Sequence, residues 1–331
     1  MIASGSWKRY AWLCLLAMLV GIPLGAAASE GMSRIFRPIR PGLARSSSLW
    51  GGASEAAESD SGELALHRYG LRLSESRASD ARTEWFYSFS YSGMNIDGDL
   101  LLPESGVLVD DLLQDVELGT GFRRARADDI YGWFASLGSA SDKPFDSFDE
   151  TSVMLNAFYK FTLTRSTAWM LMLNYSNRRS FLTNIPLPGA AYVYAPDRRT
   201  LIIAGMPFFM IKYPLGESTD ISASYFVPDQ IKVESNTKIG RGLGLLAGVE
   251  RGEDSYFLAD RASRDHSLYY EESRFYSGVG WRSREGTSIK LTAGYALDRH
   301  FYQGEDSDES DRDRVGVEDG FDMGITCLWV F

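Results

Sequence analysis

The last eleven residues of the chain alternate with a period of two. Phe321, Met323, Ile325, Cys327, Trp329 and Phe331 form one face, and Asp322, Gly324 and Thr326, softening to Leu328 and Val330, form the other. Successive side chains leave opposite faces of an extended backbone, so this is strand geometry. A soluble sandwich would bury the apolar face in a core. In an outer membrane the same face meets lipid, and the sheet must close into a barrel because no unpaired edge survives there.

The amino terminus points to the same compartment. Lys8 and Arg9 precede an apolar run over residues 11–25, and Ala26, Ala27 and Ala28 supply the small residues of a cleavage site. The run is shorter than the roughly 20 residues a spanning helix needs, so a membrane anchor is the weaker reading. Residues 1–28 are therefore expected to be a signal peptide, residues 29–62 a disordered or loosely attached periplasmic arm, and residues 63–331 an outer-membrane β-barrel. The arm carries Arg34, Arg37, Arg40 and Arg45 with Pro38 and Pro41, then a Ser-, Gly- and Ala-rich stretch without periodicity. The formal charge of -10 becomes -12 once Lys8 and Arg9 are removed, which excludes a generic nucleic-acid binder. Cys327 would be the one thiol left after cleavage, so no intramolecular disulfide staples the fold.

From residue 63 the chain reads as strand after strand. Residues 83–93 place Trp85, Tyr87, Phe89 and Tyr91 opposite Glu84, Ser88, Ser90 and Ser92, and residues 152–163 set Val153, Leu155, Tyr159 and Phe161 against Asn156, Lys160 and Thr162. Aromatic residues make up 13% of the chain and gather near strand ends, which suits the headgroup level of a bilayer. The expected fold is all-β: a single closed antiparallel transmembrane β-barrel of about twelve strands, with fourteen or ten as alternatives, because single-chain bacterial barrels prefer even numbers.

Alternation marks Asp115, Glu117, Lys160, Lys290 and Asp298 as candidate lumen-facing charges. Their mixed signs suit a water-filled or salt-bridged wall rather than a strongly ion-selective one. The turn before the last strand carries six carboxylates between Glu305 and Asp313. It is expected to be an external, solvated acidic loop; divalent bridging to lipopolysaccharide would be a modest addition.

Two resemblances add to this reading. The carboxyl-terminal strand, with Trp329 and the final Phe331, resembles the signature by which the barrel assembly machinery recognises outer-membrane clients. The stretch Pro188, Gly189 and Tyr192, followed by Gly205 and Pro207 and then Tyr225 and Pro228, resembles a family of uncharacterised bacterial outer-membrane barrels known as a domain of unknown function. That resemblance implies a signal peptide and a barrel, and no substrate or catalytic residue. A looser one connects the chain to outer-membrane channels for small hydrophobic compounds. Pro207, inside an apolar run, is expected to mark a bulge or an interrupted strand.

Chemistry is weakly represented. His67, His266 and His300 have no ligand-like spacing and no hydrolase block around them, and Gly240, Gly242 and Gly244 precede a strand rather than a helix. No catalytic, metal or cofactor site is expected. A passive or weakly selective pore for small solutes leads, and a closed-lumen surface-binding or envelope-structural barrel is the alternative, with an outer-membrane hydrolase behind both. The expected surroundings are outer-membrane lipid and lipopolysaccharide in a Gram-negative-type bacterium, with no nucleic-acid partner.

Overall fold

In the computed structural model, residues 35, 39–179, 182–227, 230–261, 263–305 and 312–331 are described. The expected signal peptide and residues 306–311 of the acidic loop lie outside them.

Sixteen strands form one closed antiparallel barrel. In chain order they are β1 (Gly42–Ser54), β2 (Gly62–Ala78), β3 (Thr83–Asp97), β4 (Leu112–Arg126), β5 (Asp129–Ser141), β6 (Thr151–Thr162), β7 (Thr167–Ser176) and β8 (Leu187–Tyr194). They continue with β9 (Leu201–Met206), β10 (Phe208–Pro214), β11 (Thr219–Phe226), β12 (Gln230–Lys238), β13 (Leu243–Tyr256), β14 (Ser267–Arg282), β15 (Ser288–Gly304) and β16 (Gly320–Val330). Every strand pairs with its chain neighbours, and β1 closes the ring on β16 from Ser46 opposite Val330 to Ser54 opposite Asp322. The seam is sealed at its end by Phe331 N–H donating to the Arg45 carbonyl at 2.9 Å, and Arg45 N–H returning to Phe331 at 3.3 Å.

The expected count of twelve, with fourteen or ten as alternatives, is thus corrected to sixteen, and three local features explain most of the difference. β1 falls inside the stretch expected to be an arm. Its outward residues Leu43, Arg45, Ser47, Leu49, Gly51 and Ala53 are too mixed to show a period. The run over residues 200–213 is two strands, because the chain reverses at the cis Met206–Pro207 peptide and pairs Ala204 with Phe209. Residues 129–141 make a full strand that pairs on both sides.

Side-chain alternation sorts the wall into two surfaces. Leu73, Tyr87, Leu118, Leu137, Leu155, Leu171, Leu245, Phe275, Val279, Leu291 and Ile325 all point outward and are exposed. A contiguous apolar exterior of this size belongs in lipid. Trp85, Tyr159, Trp169, Tyr194, Tyr213 and Trp281 lie near the rim that holds the two ends of the barrel. Tyr69, Tyr91, Tyr295 and Phe321 form a second level above them, with Tyr295 meeting Phe321 edge-on at 5.0 Å. Two aromatic girdles bounding an apolar band are the surface of an outer-membrane barrel.

The rims differ. At the rim of the termini the turns are short, from 127–128 to 195–200, whereas the opposite rim carries 98–111, 142–150, 177–186, 257–266 and 305–319. Short turns face the periplasm and long loops the exterior in such barrels. Carboxylates brace the periplasmic turns. Asp197 accepts from the backbone N–H of Arg199 at 2.7 Å and of Thr200 at 2.9 Å, which holds its carboxyl below the usual carboxylate range. This support is present above the unfolded carboxylate's pKa and is lost as pH falls through the lowered folded value.

Inside, the lumen is filled unevenly. Loop 98–111 folds into the outer mouth, where Leu100, Leu102 and Val109 pack in a buried cluster with Leu64, Leu66, Met94, Tyr256, Leu268 and Phe301. The far ends of β5 and β13 meet across the mouth, with Phe257 N–H donating to the Ala140 carbonyl at 2.8 Å. The wall is lowest at β9 and β10, with six and seven residues. A six-residue strand runs about 20 Å, less in height once tilted, so it falls short of a ~25 Å apolar band. Its inner side is correspondingly apolar: Met170, Ala191, Ile203, Phe208 and Phe226 form a second cluster, and Ile35 from the amino-terminal segment belongs to it.

The seam yields a direct test. Leu49 and the native Cys327 are directly opposed on the outer face of β1 and β16, and opposed residues lie about 4.5–5.5 Å apart at Cα, within disulfide reach. Leu49→Cys should cross-link to Cys327 on mild oxidation, giving a band resistant to heating on a non-reducing gel and, by mass spectrometry, a disulfide-linked peptide that joins position 49 to Cys327. Trp50→Cys, on the other face, should give neither.

Candidate functional site

The inner face of β2, β3 and β4 is built from three columns set by register. β2 contributes Arg68, Gly70 and Arg72; β3 contributes Met94, Ser92 and Ser90; β4 contributes Leu113, Asp115 and Glu117. Reading across the strands, Gly70, Ser92 and Asp115 form one row and Arg72, Ser90 and Glu117 the next. The bare face at Gly70 is occupied by the Trp50 indole from β1, since a Cβ there would lie 2.4 Å from the ring nitrogen.

Arg68, Arg72, Ser90, Ser92, Met94, Asp115 and Glu117 of these columns, with Trp50, form one side of a cavity of about 410 Å³ in the lumen. The other sides come from Ser136 on β5, Met154 on β6, Asn174 and Ser176 on β7, Phe226 and Gln230, and Asp254 to Tyr256 on β13. Arg178, in the loop after β7, spans the cavity: its guanidinium pairs with Asp115 at 2.8 Å and donates to the Ser255 carbonyl. Its neighbour Arg179 donates to Asn174 Oδ1 at 2.6 Å and to the Ile185 carbonyl at 2.6 Å, which fixes the loop over the β7 end. Arg68 reaches β14, pairing with Glu272 and lying 5.6 Å from the Tyr270 ring centroid. Burial favours the neutral form of such groups unless a counter-charge is near, and each of these arginines except Arg72 has found a carboxylate or a set of oxygens.

A second network covers the wall of β12 to β16. Lys232 and Arg274 share Glu250, Arg274 also pairs with Asp322, and Lys290 meets Glu234 at 3.1 Å, where the Tyr276 hydroxyl donates to the same carboxylate at 3.1 Å. Lower in the barrel, Glu84 and Arg123 form a buried pair beside the stacked rings of Phe86 and Phe134.

The residues singled out in the sequence are distributed as follows. Asp115 and Glu117 line the central cavity, Lys160 lines a separate cavity of about 520 Å³ at the periplasmic rim, and Lys290 belongs to the β12–β16 network. Asp298 sits at the β15 bulge, paired with Arg251 and Arg314 at 3.6 Å each. Pro188, Gly189 and Tyr192 lie on β8, Gly205 and Pro207 at the β9–β10 reversal, and Tyr225 on β11; Pro228 is outside the described residues. Gly205 permits close pairing, because a Cβ there would lie 2.2 Å from the Ala190 carbonyl oxygen. Trp329 and Phe331 are in the closing seam. Arg68, Arg72 and Arg178 escaped the sequence reading. Arg68 and Arg72 share an inward parity on β2, a signal that was available; Arg178 lies in a loop and had none.

Among the described residues no group of three or more His, Cys, Asp or Glu side chains is placed to hold a metal ion. His300 lies 3.9 Å from Glu271 and 3.8 Å from Asp298.

No protein-family model matches the sequence, and no curated protein matches it. Solved structures with similar shape include an outer-membrane channel from Pseudomonas putida F1, 13% identical with a TM-score of 0.38, covering 89% of this chain and 97% of that one. The Pseudomonas putida toluene transporter TodX is 12% identical with a TM-score of 0.41, over 94% and 95% of the two chains. The translocator domain of autotransporter NalP from Neisseria meningitidis is 11% identical with a TM-score of 0.31, over 96% of each. At these TM-scores the likeness carries no argument about what the chain does. The outer-membrane assignment rests on the closed barrel, its apolar band and its two unequal rims.

Arg178 ties β4 to β13 through the cavity by two contacts. Arg178→Ala should lower stability by roughly 2 kcal/mol, since it leaves Asp115 without its counter-charge. Urea unfolding of the folded barrel in detergent, followed by tryptophan fluorescence, would measure it.

Proposed function

We propose that this barrel is a passive, weakly selective outer-membrane pore for small polar solutes. The observation that carries the reading is the central cavity, lined by both signs of charge and by serine hydroxyls, inside a barrel of sixteen strands. Barrels of 16–18 strands leave an aqueous channel where eight-stranded ones are filled by side chains. Mixed charge in such a wall favours hydrated small molecules without strong preference for one ion. The expected surroundings are outer-membrane lipid and lipopolysaccharide around the apolar band, with assembly by the barrel assembly machinery acting on the strand that ends in Trp329 and Phe331.

A second reading has an observation of its own. Loop 98–111 is packed into the mouth through Leu100, Leu102 and Val109, and β5 touches β13 above the cavity. A barrel held in this state would be a closed envelope-structural or surface-binding module.

Planar-bilayer conductance separates the two. The folded chain should give discrete small steps, and replacing residues 99–110 by a short Gly-Ser linker should enlarge them by removing the packed loop from the mouth. Silence from both proteins, each shown to be folded by heat-modifiable migration, would contradict the pore and favour the closed module.

A further inference from the structure

Arg72 differs from the other cations of the central cavity. Arg68 has Glu272 and Tyr270, Arg178 has Asp115 and Ser255, and Arg179 has Asn174 and the loop carbonyls. Arg72 Nε is buried and has no hydrogen-bonding partner among the described residues, and no ion pair among them includes Arg72. On the opposite column, Asp115 uses one carboxylate oxygen for Arg178, while Oδ1 is buried without a partner. Both residues line the same cavity, together with Glu117.

Register fixes how these groups are spaced. Arg72 and Glu117 are in one row with Ser90 between them, so two inter-strand steps separate them, about 10 Å at the backbone. Asp115 is two residues along β4 on the same face. The cavity therefore offers a guanidinium on one side, carboxylates on the other and hydroxyls of Ser90 and Ser92 in between. Each buried unpaired group costs free energy that a complementary ligand would recover. A neutral hydroxyl could fill the hydrogen bonds but would leave the Arg72 charge without an ion-pair partner and the free Asp115 oxygen without a cationic donor. A solute with a carboxylate at one end and an ammonium at the other meets both, its carboxylate on Arg72 and its ammonium on the β4 acids.

Resting on the pore reading, we infer that the central cavity is a binding site for small zwitterionic solutes of the α-amino acid type, oriented between Arg72 on β2 and Asp115 and Glu117 on β4. The site accounts for a basic column and an acidic column kept apart by a serine column. Direct pairing of the same residues would have been available by placing them on adjacent strands.

The probe pair is alanine and its neutral isomer lactamide, which share one molecular formula and differ in charge separation. Titration calorimetry of the folded full-length barrel in detergent should show saturable alanine binding, with lactamide weaker by roughly tenfold, equivalent to about 1.4 kcal/mol. Arg72→Gln and Glu117→Gln should each erase most of that preference. The double charge swap Arg72→Glu with Glu117→Arg should restore it, because an inverted field accepts the same solute turned around. Absence of alanine binding, equal binding of the two isomers, or unchanged preference in both single variants would overturn the site. Heat-modifiable migration establishes folding for every protein, and the swap keeps the test decisive where a single variant fails to fold. Conductance is read separately: a silent barrel that still prefers alanine would support the site and overturn the pore, and a conducting barrel without preference would do the reverse.

Discussion

Everything in this molecule depends on pairing the backbone of β1 with that of β16. In hydrocarbon an unpaired N–H or C=O costs several kcal/mol, so a sheet exposed to lipid must have no edge. The nine opposed residue pairs from Ser46 with Val330 to Ser54 with Asp322, and the reciprocal bonds between Arg45 and Phe331, remove the last edge. Once the ring is closed, alternation alone determines the rest of the design. One set of side chains must be apolar for lipid, and the other encloses a space whose chemistry is free to vary.

That freedom has been used differently around the ring. Along β2 to β4 and β12 to β16 the interior is charged, and nearly every charge has found an opposite one on another strand. Glycine makes some of these pairings possible: with Gly278 and Gly280 on the inner face of β14, Lys290 on β15 reaches Glu234 on β12. Along β7 to β11 the wall is low and the interior apolar, with Ile35 of the amino-terminal segment buried among Met170, Ile203 and Phe208. Between the two regions lies the central cavity, and over it the packed loop 98–111. The loop and the cavity pull the functional reading in opposite directions, toward a closed module and toward a pore.

The sequence revealed the parts of this design that follow from local alternation. The final strand, with Phe321, Met323 and Ile325 outward and Asp322 inward toward Arg274, is visible residue by residue. So is the shared parity of Asp115 and Glu117. β1 is not visible, because a strand flanked by two others can hold Arg45, Ser47 and Gly51 on its outer face without losing its hydrogen bonds. At Pro207 the interruption of the strand was legible, but the reversal was not, since both of its arms are apolar and a tight turn leaves no polar loop to mark it. The missed β1 and the unrecognised reversal at Pro207, with the full strand at residues 129–141, account for most of the underestimated strand number. Partners were least legible of all: Arg178 meets Asp115 from a loop sixty-three positions away, and such encounters depend on register and closure rather than on spacing.

Hydrogen exchange of the folded chain in a lipid nanodisc tests the closure most directly. Amides of residues 42–54 should exchange as slowly as those of the central strands β3 and β14, because both flanks of β1 are paired. Exchange of that segment within seconds, with β16 and β2 each protected on one side only, would show an open edge and contradict the sixteen-strand barrel on which the lumen and its cavity depend.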